Sequence, residues 1–139
     1  MPEPIRFVAD TNVTISRLFF RNSIPALAFE NALLHATMIV SSETLIELED
    51  VLSRSKFDTF LPLQKRMSFF HYLRRISDFV ESVAPLTACR DPKDDKFLAL
   101  ALTGQAEFIL SGDQDLLSLH PFRGVDILNP RQYLDRQHI

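Results

Sequence analysis

Four short runs, mostly apolar or alternating, with helical segments between them, limit the architectures open to this chain. Ile5–Ala9 is a mostly apolar run that stops at Asp10. Met38–Val40 leads into Ser41-Ser42 and Glu43, Phe79–Val83 alternates, and Ala106–Ser111 (AEFILS) runs into Gly112-Asp113. Runs this short, bounded by turn residues, read as buried strands. A fifth, edge strand is expected over Val125–Leu128, before Asn129-Pro130 and a frayed tail.

The segments between them have helical periodicity. Ser23–His35 offers a serine cap and Pro25 in the first turn. From Ser41-Ser42, a helix runs through Glu43, Leu45, Ile46, Leu48 and Val51 to Leu52. Pro62–Ile76 places Leu63, Met67, Phe70 and Leu73 on an apolar side and Lys65, Arg66, Arg74 and Arg75 on a polar one. Asp94–Thr103 forms another helix, closed by Gly104. Strands alternating with helices through short connections predict an α/β fold with a parallel sheet covered on both faces. The 139 residues, with neither repeat nor linker, fit a single domain spanning 1–139.

Ligands of such sheets bind beyond the carboxyl ends of the strands, and there this sequence is acidic. Asp10 follows the first strand, and Glu43 and Glu47 lie on the helix after the second. Asp91, Asp94 and Asp95 precede the helix after the third, while Asp113 and Asp115 follow the fourth. Glu43 and Glu47 share a helix face, and Glu47, a full turn in, is the one expected to point inward. One aspartate suffices to cap a helix, so three within Asp91–Asp95 call for another explanation. Crowded carboxylates raise one another's pKa unless a cation intervenes. Oxygen ligands suit Mg²⁺ or Mn²⁺. One such ion polarises a phosphoryl oxygen and activates water, and two at roughly 3.5–4 Å clamp an in-line displacement. Metal-assisted phosphodiester hydrolysis is the chemistry this pattern suits.

Other classes find little support. No phosphate-binding glycine loop, dinucleotide fingerprint, nucleophile elbow or zinc-protease motif occurs. The four histidines, His35, His71, His120 and His138, stand in unrelated contexts, and Cys89, the single cysteine, excludes an internal disulfide. A net charge of −3 argues against a simple electrostatic nucleic-acid binder, though not against an enzyme whose acids are offset by cations. A phosphatase using Asp10 as nucleophile would need an acid where Asn12 stands. The first residues lack the layout of a signal peptide and no apolar run is long enough to cross a bilayer. A reducing, cytoplasmic setting without membrane attachment is therefore expected.

These residues resemble the PIN domains, small metal-dependent nucleases that include toxins of bacterial and archaeal toxin–antitoxin pairs. The similarity lies in FVADTNV (7–13), SSETLIELEDVLSRSKF (41–57), CRDPKDDKFLALA (89–101) and FILSGDQDLL (108–117), in family order along nearly the whole chain. It is strongest toward the subgroup of toxin components. The resemblance implies a three-layer α/β/α sandwich around a parallel sheet of four to five strands, Mg²⁺ or Mn²⁺ as cofactor, and cleavage of single-stranded RNA. It further implies a homodimer and a small antitoxin partner. Residue by residue, Asp10 matches the first acid, Glu47 the helix glutamate, Asp94 the third acid and Asp113 the fourth, with Asp115 close by. Asp95 is an alternative to Asp94. Asn12 and Ser111 match polar positions beside the first and last acids. Metal ligation is thus expected from Asp10, Asp94 and Asp113, with Asp91, Asp95 and Asp115 as further candidates. The rival reading is a non-catalytic PIN-like module that binds RNA or protein.

Overall fold

A computed structural model describes residues 4–81 and 94–137. Five strands, β1 (Arg6–Ala9), β2 (Thr37–Val40), β3 (Asp78–Phe79), β4 (Phe108–Leu110) and β5 (Asp126–Leu128), form one parallel sheet in the order β3-β2-β1-β4-β5. The chain winds outward from β1 through β2 to β3, then returns to lay β4 on the other side of β1. The strand order therefore reverses between β1 and β4, the place where doubly wound sheets open a binding crevice.

Side-chain alternation along each strand splits the core into two layers. Phe7 and Ala9, Met38 and Val40, and Phe108 and Leu110 face one way, where α2 (Ile24–His35), α3 (Ser42–Leu52), α4 (Leu63–Ile76) and α7 (Pro130–Gln137) contribute Phe29, Leu48, Leu73 and Tyr133. Val8, Ile39, Ile109 and Ile127 face the other, against Leu98 and Leu100 of α5 (Asp95–Thr103) and Leu116 of α6 (Gln114–Leu117). Phe7 stacks on Phe108 with ring centroids 5.4 Å apart, and Phe108 meets Tyr133 at 5.2 Å. The expected three-layer α/β/α sandwich is what forms. No helix of the described residues is long and apolar enough to cross a membrane.

The structure differs from the sequence reading in several places. Residues Thr11–Phe19 form a helix, α1, directly after β1. Its β-branched residues Thr11, Val13, Thr14 and Ile15 disfavour a helix locally, but Asp10 caps it and Val13, Thr14 and Ser16 bury one face. Residues Pro130–Gln137, expected in a frayed tail, form α7, which is capped reciprocally by Asn129 and Gln132, whose side chains each accept the other's N–H at 2.7 and 2.9 Å. Tyr133 anchors it by donating to Asn31 at 2.7 Å. The third strand is shorter than expected, and Ser82 and Val83 at its predicted end lie outside the described residues, as do Cys89 and Asp91.

Arg66, expected on the polar side of α4, is fully buried. It donates to the carbonyls of Leu61, Leu52 and Arg54 and pairs with Asp58, which ties the end of α3, the 3₁₀ turn Ser55–Phe57 and the start of α4 together. Gly104 does end α5, though without the left-handed backbone of a glycine cap. The demand is spatial, since a Cβ there would lie 2.4 Å from Ile39 Cδ1.

Candidate functional site

Asp10 is the first residue past β1, and its N–H still joins the sheet by bonding the Leu110 carbonyl at 3.0 Å. Its backbone then leaves the strand to become the N-cap of α1, with Oδ1 accepting the Val13 N–H at 2.8 Å. Because Ala9 pairs with Leu110, the next residue of β4's chain, Ser111, arrives beside it. The Ser111 hydroxyl donates to Asp10 Oδ2 at 2.5 Å. Asp10 is only 7% exposed. Burial drives its pKa above the ordinary carboxylate value, and the neighbouring charge of Asp113 pushes the same way; bonds from Ser111, Val13 and the Gly112 backbone act against this without reversing it.

Asp113 lies two residues past Ser111, whose oxygen accepts its N–H at 3.0 Å. Its Oδ1 caps α6 through the N–H groups of Asp115 and Leu116. Asp10 and Asp113 line a cavity of about 360 Å³ together with Asn12, Val13, Pro25 and Gly112. A larger cavity of about 680 Å³ lies elsewhere, between the α1–α2 pair and α4. Its charged groups, Arg17 and Glu30, satisfy each other at 3.5 Å, so chemistry and not size singles out the acid cavity.

Glu47 occupies the inner side of α3, half-buried, while Glu43 on the first turn is exposed. Two groups hold its carboxylate. The hydroxyl of Thr11, adjacent to Asp10, donates to Oε2, and Lys96 Nζ of α5 stands 2.9 Å from Oε1. Thr11 and Lys96 were not among the residues expected to matter. The register of Thr11 next to the first acid was visible, but its use required α1, which the sequence hid.

Asp94 takes the N-cap position of α5 with helical backbone angles, and its side chain does not cap the helix. Asp95, in the first turn, is buried, and Asp115 is half-buried. Asn12 is exposed at the cavity rim. Among the described residues, no three histidine, cysteine or acidic side chains stand close enough together to hold a metal ion by themselves. The expected convergence from four segments is therefore only partly visible: Asp10 and Asp113 share a cavity, Glu47 is turned to Lys96, and Asp91 lies outside the described residues. The reason is local charge, because an ammonium within 3 Å competes for Glu47 more effectively than like-charged carboxylates can.

The donors still suit a hard divalent cation. They are all oxygen, and one is a buried carboxylate whose ionisation is opposed by burial and by a second acid. Mg²⁺ commonly takes one or two carboxylates and completes its shell with water and phosphate oxygens.

Comparison with known proteins follows the same direction. A profile of the family described as PIN domain matches residues 6–115. The uncharacterised protein MJ1680 of Methanocaldococcus jannaschii is 32% identical over 120 residues, a span of 83% of this chain and 75% of that one. Among solved structures, VapBC2 from Rickettsia felis bound to a DNA fragment from their promoter superposes with a TM-score of 0.63 at 13% identity, covering 90% of this chain and 98% of that chain. PAE2754 from Pyrobaculum aerophilum gives 0.63 at 12% identity, over 95% and 88%. At such identities the solved structures speak to the fold.

Proposed function

The chain belongs to the PIN-domain family, and from that premise we propose that it is a metal-dependent endoribonuclease that hydrolyses phosphodiester bonds of single-stranded RNA, acting as the toxin of a toxin–antitoxin pair. The observation that carries this reading is the buried Asp10 at the strand-order reversal, sharing its cavity with Asp113.

In this reading Asp10 and Asp113 hold Mg²⁺ or Mn²⁺, with Asp94 at the N-cap of α5, Asp95 in its first turn, Asp115 and Asp91 as further candidate donors. When bound, the cation lowers the pKa of a coordinated water and offsets phosphate charge. The protein's own groups prepare the site. Ser111 fixes one Asp10 oxygen and the Val13 N–H the other, so the carboxylate is oriented before any ligand arrives. Thr11 and Lys96 set the position of Glu47, and Asn12 offers a polar edge at the rim. The solved VapBC2 assembly is bound to DNA from its promoter, which supports a protein partner for a chain of this fold. A homodimer, a cytoplasmic setting and a single domain over residues 1–139 belong to the same reading.

The test is hydrolysis of single-stranded and structured RNAs by purified protein with Mg²⁺, with EDTA and as Asp10→Asn. Cleavage that needs metal and Asp10 supports the proposal; undiminished cleavage by the variant sinks it. One observation favours a second reading, a PIN-like module that binds RNA or protein without cutting: Glu47 is already neutralised by Lys96. RNA binding with no metal-dependent cleavage in that assay would select it.

A further inference from the structure

A second surface of different chemistry is joined to the acid cavity by a short stretch of chain, Phe20 to Pro25. Phe20, just past the end of α1, is 66% exposed, and Phe60, just past the 3₁₀ turn, is 76% exposed. The ring of Phe57 stacks on that of Phe19, the residue before Phe20, with centroids 4.6 Å apart and planes 20° apart, and Lys56 Nζ stands 5.1 Å from the Phe57 centroid. The Phe60 N–H bonds the Phe57 carbonyl at 3.0 Å, which keeps that residue within one turn of the stacked pair. Ser23 ties the patch toward the cavity: its N–H and hydroxyl both donate to the Phe20 carbonyl, at 2.9 and 2.7 Å, and Pro25, two residues on, lines the cavity.

Single exposed apolar residues need no explanation. Here the Phe19–Phe57 stack joins two segments far apart in sequence, each with an exposed phenylalanine within three residues of the stack, and these segments carry a definite charge. Within residues 17–25 and 54–66 stand six cations and one carboxylate, Asp58, in a chain whose net charge is −3. Asp58 is engaged by the buried Arg66, and Arg17 and Arg54 pair with Glu30 and Asp50. Arg21 and Lys56 are exposed and make no ion pair among the described residues. Exposed rings beside available cations suit a strand whose bases stack and whose phosphates are anionic. A second copy of the chain would bring its own cations against these, so self-association fits the charge poorly.

We propose that Phe20 and Phe60, supported by the Phe19–Phe57 stack and flanked by Arg21 and Lys56, form a base-stacking platform that binds single-stranded nucleic acid and leads it toward the acid cavity. The direction toward the cavity rests on the nuclease reading; the binding itself does not. Stacking is tolerant of sequence because every base presents a π face, so the platform favours single strands over duplexes without selecting bases.

Fluorescence anisotropy of a labelled single-stranded oligoadenylate, in EDTA to exclude hydrolysis, tests this against a duplex of the same length. Phe20→Ser and Phe60→Ser should each weaken single-strand binding about fivefold or more, the double variant further, with a smaller effect on the duplex. Lys56→Ala keeps all four phenylalanines and should weaken binding while flattening its salt dependence. Unchanged single-strand affinity in a folded Phe20→Ser/Phe60→Ser protein overturns the platform. So does a double variant that alters only the mass in solution by light scattering, since the face would then be a protein contact. If binding depends on the phenylalanines but no RNA is cleaved, the platform stands and the nuclease reading fails. If RNA is cleaved with KM unchanged in the double variant, the nuclease reading stands and the platform fails.

Discussion

The Ser111 hydroxyl donates to Asp10 Oδ2 across the β1–β4 junction and accepts the N–H of Asp113, so one buried oxygen couples the two acids of the cavity. Ser111 is completely buried, and no water can replace it without rearrangement. Replacing it with alanine strips a charge-assisted bond from Asp10 and leaves the Asp113 N–H without its acceptor. We expect Ser111→Ala to cost about 2 kcal/mol of stability at neutral pH, read as a lower urea midpoint at unchanged slope.

Asp10 gives a pH signature with a defined sign. Its folded pKa is raised above the unfolded value of about 3.9, so the folded state binds the proton more tightly. Stability owed to this group is highest when the carboxyl is protonated and falls as pH rises from the unfolded value through the raised folded one. Asp10→Asn removes this loss. Thermal melts in EDTA between about pH 4 and pH 8 should show wild type losing ground to the variant as pH rises; parallel curves would refute the assignment.

Divalent metal should act on the same group from the other side. Millimolar Mg²⁺ or Mn²⁺ binding to the folded state raises the melting temperature, and the rise should vanish in Asp10→Asn and shrink in Asp113→Asn. Equal shifts in all three proteins would place the metal elsewhere.

Lys96 holds Glu47 at 2.9 Å and puts a positive charge beside that acid. Lys96→Met keeps the aliphatic stem and removes the charge, so divalent affinity measured by calorimetric titration should rise severalfold. Stability should change by less than about 1 kcal/mol, as befits a partly exposed pair. A fall in metal affinity would show that Lys96 supports the site instead of competing within it.

Arg66 provides the largest expected loss away from the acids. Its guanidinium satisfies three carbonyls at the junction of α3 and α4 as well as Asp58. Arg66→Met strands those carbonyls and should destabilise the protein by about 3 kcal/mol or more. Arg66→Lys should recover little, because an ammonium cannot reproduce the planar fork. Urea unfolding of both variants makes the comparison.

Sheet and acids were legible for different reasons. Short apolar runs with helical segments between them allow few arrangements, and Asp10 and Asp113 stand where strand ends must be in any of them. Helix α1 was hidden because β-branched residues fill it, and its stability comes from the Asp10 cap and the face it buries. The α7 helix was hidden because its mutual Asn129–Gln132 cap and the Tyr133 anchor are tertiary features. The pairing of Glu47 with Thr11 and Lys96 is not legible in the sequence for the same reason: it joins three helices whose packing angles no periodicity reveals.

The hydrogen bond between Ser111 and Asp10 spans 101 positions of sequence. During synthesis β1 emerges well before β4, and its acid has neither Ser111 nor Asp113 beside it until β4 has left the ribosome and docked. The two-acid cavity therefore comes into being only once β4 has been made and paired, and chains truncated before it cannot assemble it.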